Sequence, residues 1–577
     1  MFNRHFQQEL ANLRELGKAF CEAHPAVAPM LSGPTADPDV ERLLEGVAFL
    51  TGLLREKLDD DFPEIVHELT RLIWPHYLRP IPCTTIIAFR PKPTVKERVT
   101  IPAGVQVASV EVEETRCLFQ TCYPVDLYPL RIRDASYREA SGRPASVRIR
   151  FELLGPKLCD WQPKALRFHL AGGYGDAADL YLLLRKYVKQ IVIEPSEGGS
   201  PLTLSAEHLR PVGFSDDEQL IPYPGHSFPA YRIIQEYFML PEKFLFLDLV
   251  GWEDWQNRGE GTRFEIRFEL APLPFQAPRI GKEHFVLAAT PAVNIFPYDA
   301  DPIRLDHRLA EYPIRPAGAA GHQYQVYALE SVTGFVQGTA EERAYVPFEI
   351  FNPNPESTPV YHVKLRKSPI EGSYKVFLSV AYPKQAGPPS SETLSIRLLC
   401  TNGSLPESLQ VGDISVPASS SPEFAEFENI RPPTANVLPP LEANLLWRLL
   451  SHLSLNYLSL GKAENLRALL ELYIFPETRD RTTIVANQRR IAGIDDVQIK
   501  ASNRLVSGIM MRGQEVVVSL RQDHFACPGD LFLFGSMLDA FMGAYASMNS
   551  YTQLFVHEVL KGDRYQWPAR VGDHPLM

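Results

Sequence analysis

Two histidine–glutamate pairs open the search for chemistry, because His-Glu followed by a histidine four places after the first is how a helix presents zinc to a protease site. His67-Glu68 and His557-Glu558 both begin that pattern, but Arg71 and Lys561 stand where the second histidine belongs. Both pairs read as helix-surface or capping residues. Cys117 and Cys122 lie five apart with no second pair to complete a four-ligand set, so they read as buried thiols. Gly172-Gly173-Tyr174-Gly175 follows a strand but lacks the lysine and hydroxyl of a phosphate loop and the spacing of a dinucleotide fingerprint. It reads as a tight turn. Asp59-Asp60-Asp61 reads as a solvated helix end rather than an acid–base or calcium site. No G-x-S-x-G elbow occurs, and a triad drawn from scattered residues among 15 histidines would fit almost any chain. Paired glycosidase carboxylates suffer the same weakness. The reading is of a protein without catalytic, cofactor-binding or metal-binding residues.

Composition narrows the classes further. The 577 residues carry 58 basic and 69 acidic side chains, a net charge of −11, which gives no electrostatic ground for nucleic-acid binding. Hydrophobic residues make up 45%, enough for several cores. Cys21, Cys83, Cys117, Cys122, Cys159, Cys400 and Cys527 are an odd number spread thinly, which fits a reducing cytoplasm and no disulfide framework. The opening MFNRHFQQEL lacks the apolar run of a signal peptide. Leu531–Met548 is the most membrane-like stretch, yet Asp539 sits in its middle. A central carboxylate costs about 3 kcal/mol on insertion scales, so an amphipathic helix is expected there and no membrane insertion.

The elements that would position any site begin with helices. Phe6, Leu10, Leu13 and Phe20 recur at helical spacing, with Leu16 adjoining. A second helix starts where Asp37 can cap and Pro38 suits the first turn, and Val40, Leu43, Leu44, Val47, Leu50 and Leu54 give it a wide apolar face. A third, from Pro63, carries Ile65, Leu69, Leu72 and Ile73 until Pro75 stops it. Such faces either close on one another or complete a bundle with another chain.

From about Pro80 to Pro433 the period changes to two. Val147, Ile149, Phe151 and Leu153 alternate with Arg148, Arg150 and Glu152, and Phe264, Ile266, Phe268 and Leu270 with Arg263, Glu265, Arg267 and Glu269. Shorter echoes recur at 166–170, 361–365 and 394–398. Apolar-in, polar-out alternation means antiparallel sheets with one wet face, and the 50 prolines punctuate the strands. Linkers are expected at Lys384–Ser391 and Val416–Pro440. Helical patterns return at Ala443–Leu460 and Ala463–Tyr473, strands at Ile494–Ile499 and Glu515–Leu520, a helix at Gly535–Met548 and an apolar segment at Tyr551–Val559. The fold class is α+β and multidomain: a helical arm over 1–80, predominantly antiparallel, sandwich-like β domains over 81–275 and 276–432, and an α/β domain over 433–577. Tyr223, Phe228, Tyr231, Tyr237, Phe238, Phe244 and Phe246 crowd one stretch. They read as core around a short helix, Ala230–Met239, with some rings available to anchor a partner.

Several long motifs resemble one family in order along the chain. Phe2-Asn3-Arg4 with ELANLRELGKAF and EAHP, ADPDVERLLEGVAFL, KLDDDFPE and LTRLIWPHYLRPIP (Leu69–Pro82) are similar to the start of the TssF family, also called VasA or ImpG. GFSDDEQLIPYP, YRIIQEYFMLPEKFLF and TPAVNIFPYDADPI (Thr290–Ile303) resemble its middle. CTNGSLPESLQVGD, LWRLLSHLSLNYLSL and GDLFLFGSMLDAFMGAYASMNSYTQL resemble its end. The resemblance implies a structural baseplate wedge subunit of a bacterial type VI secretion system, without catalysis. It further implies two copies joined to one TssG-like subunit, with TssK-like adaptors and a TssE-like sheath initiator. Wedges surround a spike hub, and the baseplate docks on a membrane complex at the cytoplasmic face of the inner membrane.

Within that frame, Phe6, Leu10, Leu13, Phe20, Leu43, Leu50 and Leu54 are expected to build an inter-subunit helix bundle. The C-terminal domain, read as a self-contained unit behind a proline-rich linker, is expected to mediate contact between like subunits through Phe541, Met542, Tyr545 and Met548. Deleting the chain after Pro433 should then leave wedges but no closed ring. The rival readings are a wedge subunit of another contractile, phage-tail-like particle, and a β-rich carbohydrate-binding protein or enzyme.

Overall fold

Strand alternation is realised where the sequence places it. In a computed structural model, the described residues are 74–140, 143–223, 228, 230–318, 323–338, 341–348, 358–367, 374–382, 391–440, 459–475, 480–506, 509–546 and 550–572, with 6–7, 9–11, 13–14, 16, 20, 38–52 and 69–70 nearer the N-terminus. Two units form, Met1–Leu78 with Pro440–Leu450, and Arg79–Pro439 with Ser451–Met577.

In the first unit, residues 6, 7, 9–11, 13, 14, 16 and 20 are helical, and a second helix, α1, runs over 38–52. The Arg14 guanidinium reaches the Glu41 carboxylate at 2.5 Å and ties the two together. A 3-10 turn, Pro75–Leu78, closes the unit, with Trp74 stacked on Tyr77 at 4.1 Å. The expected helix over Leu54 and the residues to 68, the Asp59–Asp61 cap, and residues 443–458 lie outside the described residues.

The second unit is built mainly of antiparallel sheets. Four strands used below are β1 (Leu130–Ala140), β2 (Arg143–Leu153), β3 (Val188–Pro195) and β4 (Arg263–Leu270). With Leu202–Ser205 at one edge they form a five-stranded sheet in the order Leu202–Ser205, β3, β4, β2, β1. Inward positions Val147, Ile149, Phe151, Phe264, Ile266 and Phe268 are buried, and Phe151 stacks on Phe264 at 4.9 Å. A six-stranded sheet joins Thr84–Pro91 to Ala289–Val293 on one side and to Ala425–Asn429 on the other. An eight-stranded sheet covers Phe296 to Thr401 and buries Phe296, Leu305, Leu378, Leu394, Leu398 and Cys400.

Those sheets revise the expected domain edges. A division near residue 275 would cut the six-stranded sheet, whose strands come from both sides of it. The presumed linker Val416–Pro440 supplies two of its strands, Val416–Pro417 and Ala425–Asn429. Its prolines stand at an edge and at strand ends, where a missing N–H costs no ladder bond. Val437 also bridges back to Ile81, and the Thr84 and Thr434 hydroxyls lie 3.0 Å apart. Lys384–Ser391 lies outside the described residues, apart from Ser391.

The C-terminal segment is α/β, as its alternating helix and strand patterns require, but it does not stand alone. The helices of this unit are α2 (Tyr174–Lys186), α3 (Ala230–Met239), α4 (Ala463–Glu471), α5 (Arg481–Ala492) and α6 (Pro528–Gly543). Its strands β5 (Ile494–Val506), β6 (Ile509–Leu520) and β7 (Ser550–Glu558) include a parallel pair, β6 with β7. α6 packs against α2 and α3 from the middle of the chain as well as against β7. The expected amphipathic helix is therefore corrected: α6 is buried from Gly529 through Gly543, on every face. A helix apolar all round belongs inside a protein as readily as inside a bilayer, and these neighbours enclose it. Among the described residues no helix is long and apolar enough to cross a membrane.

Close approach explains the glycine that opens α6. A Cβ on Gly529 would stand 2.1 Å from the Ala178 carbonyl group of α2, and the Gly529 amide donates to Asp179 Oδ1 at 2.7 Å. Overpacking a closed core costs about 1–3 kcal/mol. Gly529→Ala should lower the urea midpoint of unfolding accordingly, whereas Gly562→Ala, with open space around it but φ +78°, should cost only its backbone strain. Removing everything after Pro433 should give a chain that aggregates when expressed, read by size-exclusion chromatography, because α2 and α3 lose the helix that covers them.

Candidate interaction surfaces

Helix α1 carries two apolar stripes rather than one. Val40, Leu44 and Ala48 follow i, i+4 spacing and are covered, with Ala48 fully buried. Leu43, Val47 and Leu50 follow the same spacing on another face and remain 69%, 44% and 61% exposed. Leucine and valine at three adjoining surface positions leave apolar area in water that a partner helix would remove, each side chain contributing about 1.5–3 kcal/mol on full burial.

The N-terminal stripe divides likewise. Leu10 is buried and Phe6 and Leu13 are half-buried, so this end of the stripe is used within the chain. Leu16 and Phe20 are exposed. Leu54 lies outside the described residues. Sequence spacing marked all these positions as apolar helix face but could not tell which stripe the chain covers itself.

Two of the C-terminal candidates are not at the surface. Phe541 and Met542 are fully buried inside α6, so the expectation that they present an adaptable outer face is corrected. Tyr545 is half-buried, and its hydroxyl lies 3.0 Å from that of Tyr231, while its ring packs on Phe228 and Phe541. Met548 lies outside the described residues. The aromatic stretch is core: Tyr237, Phe244 and Phe246 are fully buried and Tyr237 meets Phe534 of α6.

The buried carboxylates of this core are paired rather than poised. Glu236 of α3 accepts from Arg232 at 3.1 Å, from the Leu220 amide at 2.7 Å and from the buried Lys243 ammonium. Burial pushes the Lys243 ammonium down, against the pull of Glu236. Asp530 accepts from Arg490 Nε at 3.0 and 3.1 Å and from the Tyr174 hydroxyl at 2.7 Å. Asp539, raised by burial and held by Arg570, accepts from Arg570 Nε at 2.6 Å. All three carboxylates are buried and ion-paired, Asp539 with an arginine that is itself 44% exposed.

The remaining chemical candidates fall to secondary structure. His557 and Glu558 lie at the end of strand β7, not on a helix. Burial raises the Glu558 carboxyl, but the backbone N–H groups of Lys561, Leu560 and Gln522 outweigh it and hold it low. Gly173 is the N-cap of α2, so the glycine cluster is a strand-to-helix junction. Cys117 is buried, and burial pushes its thiol up to about 11. Among the described residues no group of three His, Cys, Asp or Glu side chains is placed to hold a metal ion.

The family model described as type VI secretion system, TssF, matches residues 1–574.

The chain belongs to the TssF family.

The type VI secretion system component TssF1 of Pseudomonas aeruginosa is 29% identical over 635 aligned positions, spanning 99% of this chain and 98% of that protein. A chain from a cryo-electron microscopy structure of a TssK–TssF–TssG baseplate subcomplex is 28% identical with a TM-score of 0.74, covering 92% of this chain and 99% of its own. A chain from a type VI baseplate complex, 24% identical with full coverage of both and a TM-score of 0.59, shows the shared fold.

Burial separates the two stripes experimentally. Leu43→Asp/Leu50→Asp should shift the thermal stability of the isolated chain by no more than about 1 kcal/mol, because both side chains already stand in water. Leu10→Asp places a charge among apolar neighbours and should cost several times that, checked by the same melts.

Proposed function

We propose that this chain is a structural wedge subunit of a type VI secretion baseplate and that the Leu43–Val47–Leu50 stripe of α1 is where it joins a helix bundle with other subunits. The observation that carries the reading is that stripe, exposed on a chain whose family membership runs over residues 1–574. A baseplate subunit works by holding neighbours at fixed positions, so its functional groups are surfaces rather than reacting atoms. The closed pairing of Glu236, Asp530 and Asp539 suits that role, since none offers a proton or a nucleophile to solvent.

The partners follow from the family. A TssG-like subunit binds two copies of this chain, self-association within the wedge arises through it, and TssK-like adaptors attach to the resulting core. A TssE-like sheath initiator and the spike hub complete the platform on which sheath and tube assemble. The wedge performs no catalysis and binds no nucleic acid. It acts in the cytoplasm, at the inner-membrane face, through the membrane complex and without inserting itself. The described cysteines, Cys83, Cys117, Cys122, Cys159, Cys400 and Cys527, are all free thiols, as a reducing compartment leaves them.

Co-expression with the TssG-like subunit tests both parts. A stable complex holding two copies of this chain per TssG-like subunit, by light scattering on the eluted peak, is the expected result. Leu43→Asp/Leu50→Asp should abolish co-purification while the variant still elutes as a folded chain. A parent chain that ignores the partner would overturn the wedge assignment, and normal co-purification of the double variant would overturn the stripe.

A further inference from the structure

The outer face of β1, β2 and β4 is layered by charge. Register sets Arg131, Glu152 and Arg263 in one row across the three strands. Glu152 accepts from Arg131 Nε at 2.8 Å, Arg133 Nη1 at 3.2 Å and Arg263 Nε at 3.1 Å, and Arg131 foremost holds its carboxyl below the ordinary range. One row on, Glu265 accepts from Arg150 Nε at 3.0 Å. The carboxylates lie beneath the guanidinium groups: the Glu152 and Glu265 side chains are 12% and 19% exposed, against 56% for Arg131, 52% for Arg263 and 49% for Arg150. Solvent therefore meets a cationic layer, on a chain whose net charge is −11.

One detail goes beyond ordinary cross-strand pairing. Arg148 of β2 stands opposite Arg267 of β4, but each has carboxylates of its own, Glu265 at 3.7 Å from Arg148 and Glu269 and Glu194 at 3.2 and 3.4 Å from Arg267. Arg150 and Arg263 each commit only Nε to the carboxylate below, which leaves both Nη nitrogens of two planar forks for another acceptor. Sheet stability alone gives no reason for those open forks.

We propose that this face docks a carboxylate-bearing surface of another protein, whose Asp or Glu side chains are taken by the free forks of Arg150 and Arg263. Charge complementarity commits the site to an anionic occupant, and the pattern commits it to a protein. Asp134, opposite Arg150, and Glu194, opposite Glu265, are exposed on the same face and would repel an unbroken row of phosphates. The outward positions of β2 and β4 hold no apolar side chain to enter a bilayer. The proposal stands whether or not the helix-bundle reading does.

The test uses the full chain at low salt with three fluorescent probes: a peptide of repeated Glu-Ser-Ser, whose carboxylates are spaced apart, a DNA duplex and phosphatidylglycerol vesicles. The peptide should bind, Arg150→Ser/Arg263→Ser should weaken it about tenfold, and Arg150→Lys/Arg263→Lys should recover only part of the loss because lysine has no fork. Both variants should melt like the parent. The proposal fails if the peptide does not bind, if the serine variant binds it like the parent, or if DNA or vesicles bind more tightly and lose binding in that variant.

Discussion

A helix without a polar face has to be enclosed, and the enclosure of Pro528–Gly543 sets the architecture around it. Gly529 is bonded to Asp179 from 350 positions away, and α3 contributes Tyr237 against Phe534. These contacts draw the middle and the end of the chain into one core. The eight-stranded and six-stranded sheets keep cores of their own, and the proline-rich stretch before the C-terminal segment supplies edge strands of the six-stranded sheet. Backbone-to-backbone approach at Gly529 and Ala178 leaves little tolerance in that arrangement.

The ion pairs inside the core work in the same direction. Taking Asp530 and Arg490 out of water costs several kcal/mol per charge before their mutual attraction offsets it, so such pairs are poor sources of net stability. Their geometry is demanding, however. Arg490 of α5 meets Asp530 of α6 while Tyr174 of α2 donates to the same carboxylate. Three helices from distant parts of the sequence must arrive together for the charges to be satisfied. For a subunit that holds neighbours in position, a rigid and singular interior is the useful property.

The period-two runs at 146–153 and 262–270 identify strands to within three residues, and the helix expected at Ala230–Met239 has those bounds, since local pattern fixes local structure. What failed was long-range. Helix α6 gives no 3.6-residue stripe because it has no outside, so the wet face expected of it is absent. Glu558 stands at a strand end rather than on a helix, and Gly173 at the cap where strand turns into helix. In the helical arm the apolar positions were legible, but spacing alone does not distinguish Val40–Leu44–Ala48 from Leu43–Val47–Leu50. The arginine layer was visible only as a polar face; that the glutamates lie beneath the guanidinium groups depends on side-chain conformations that alternation does not encode.

The enclosure of α6 also has a consequence in time. Ribosomes release α3 roughly 300 residues and α2 roughly 360 residues before the last turn of α6, and at 5–20 residues per second those intervals are roughly 15–70 s. Hairpins and short loops close in microseconds, so the sheets have ample opportunity to pair while the helices beside them still lack their cover. For most of its synthesis the nascent chain therefore displays an apolar face that its own C-terminus will later occupy. Completion of the polypeptide, rather than any sheet-forming step, is the event that withdraws this surface from chaperones and from aggregation.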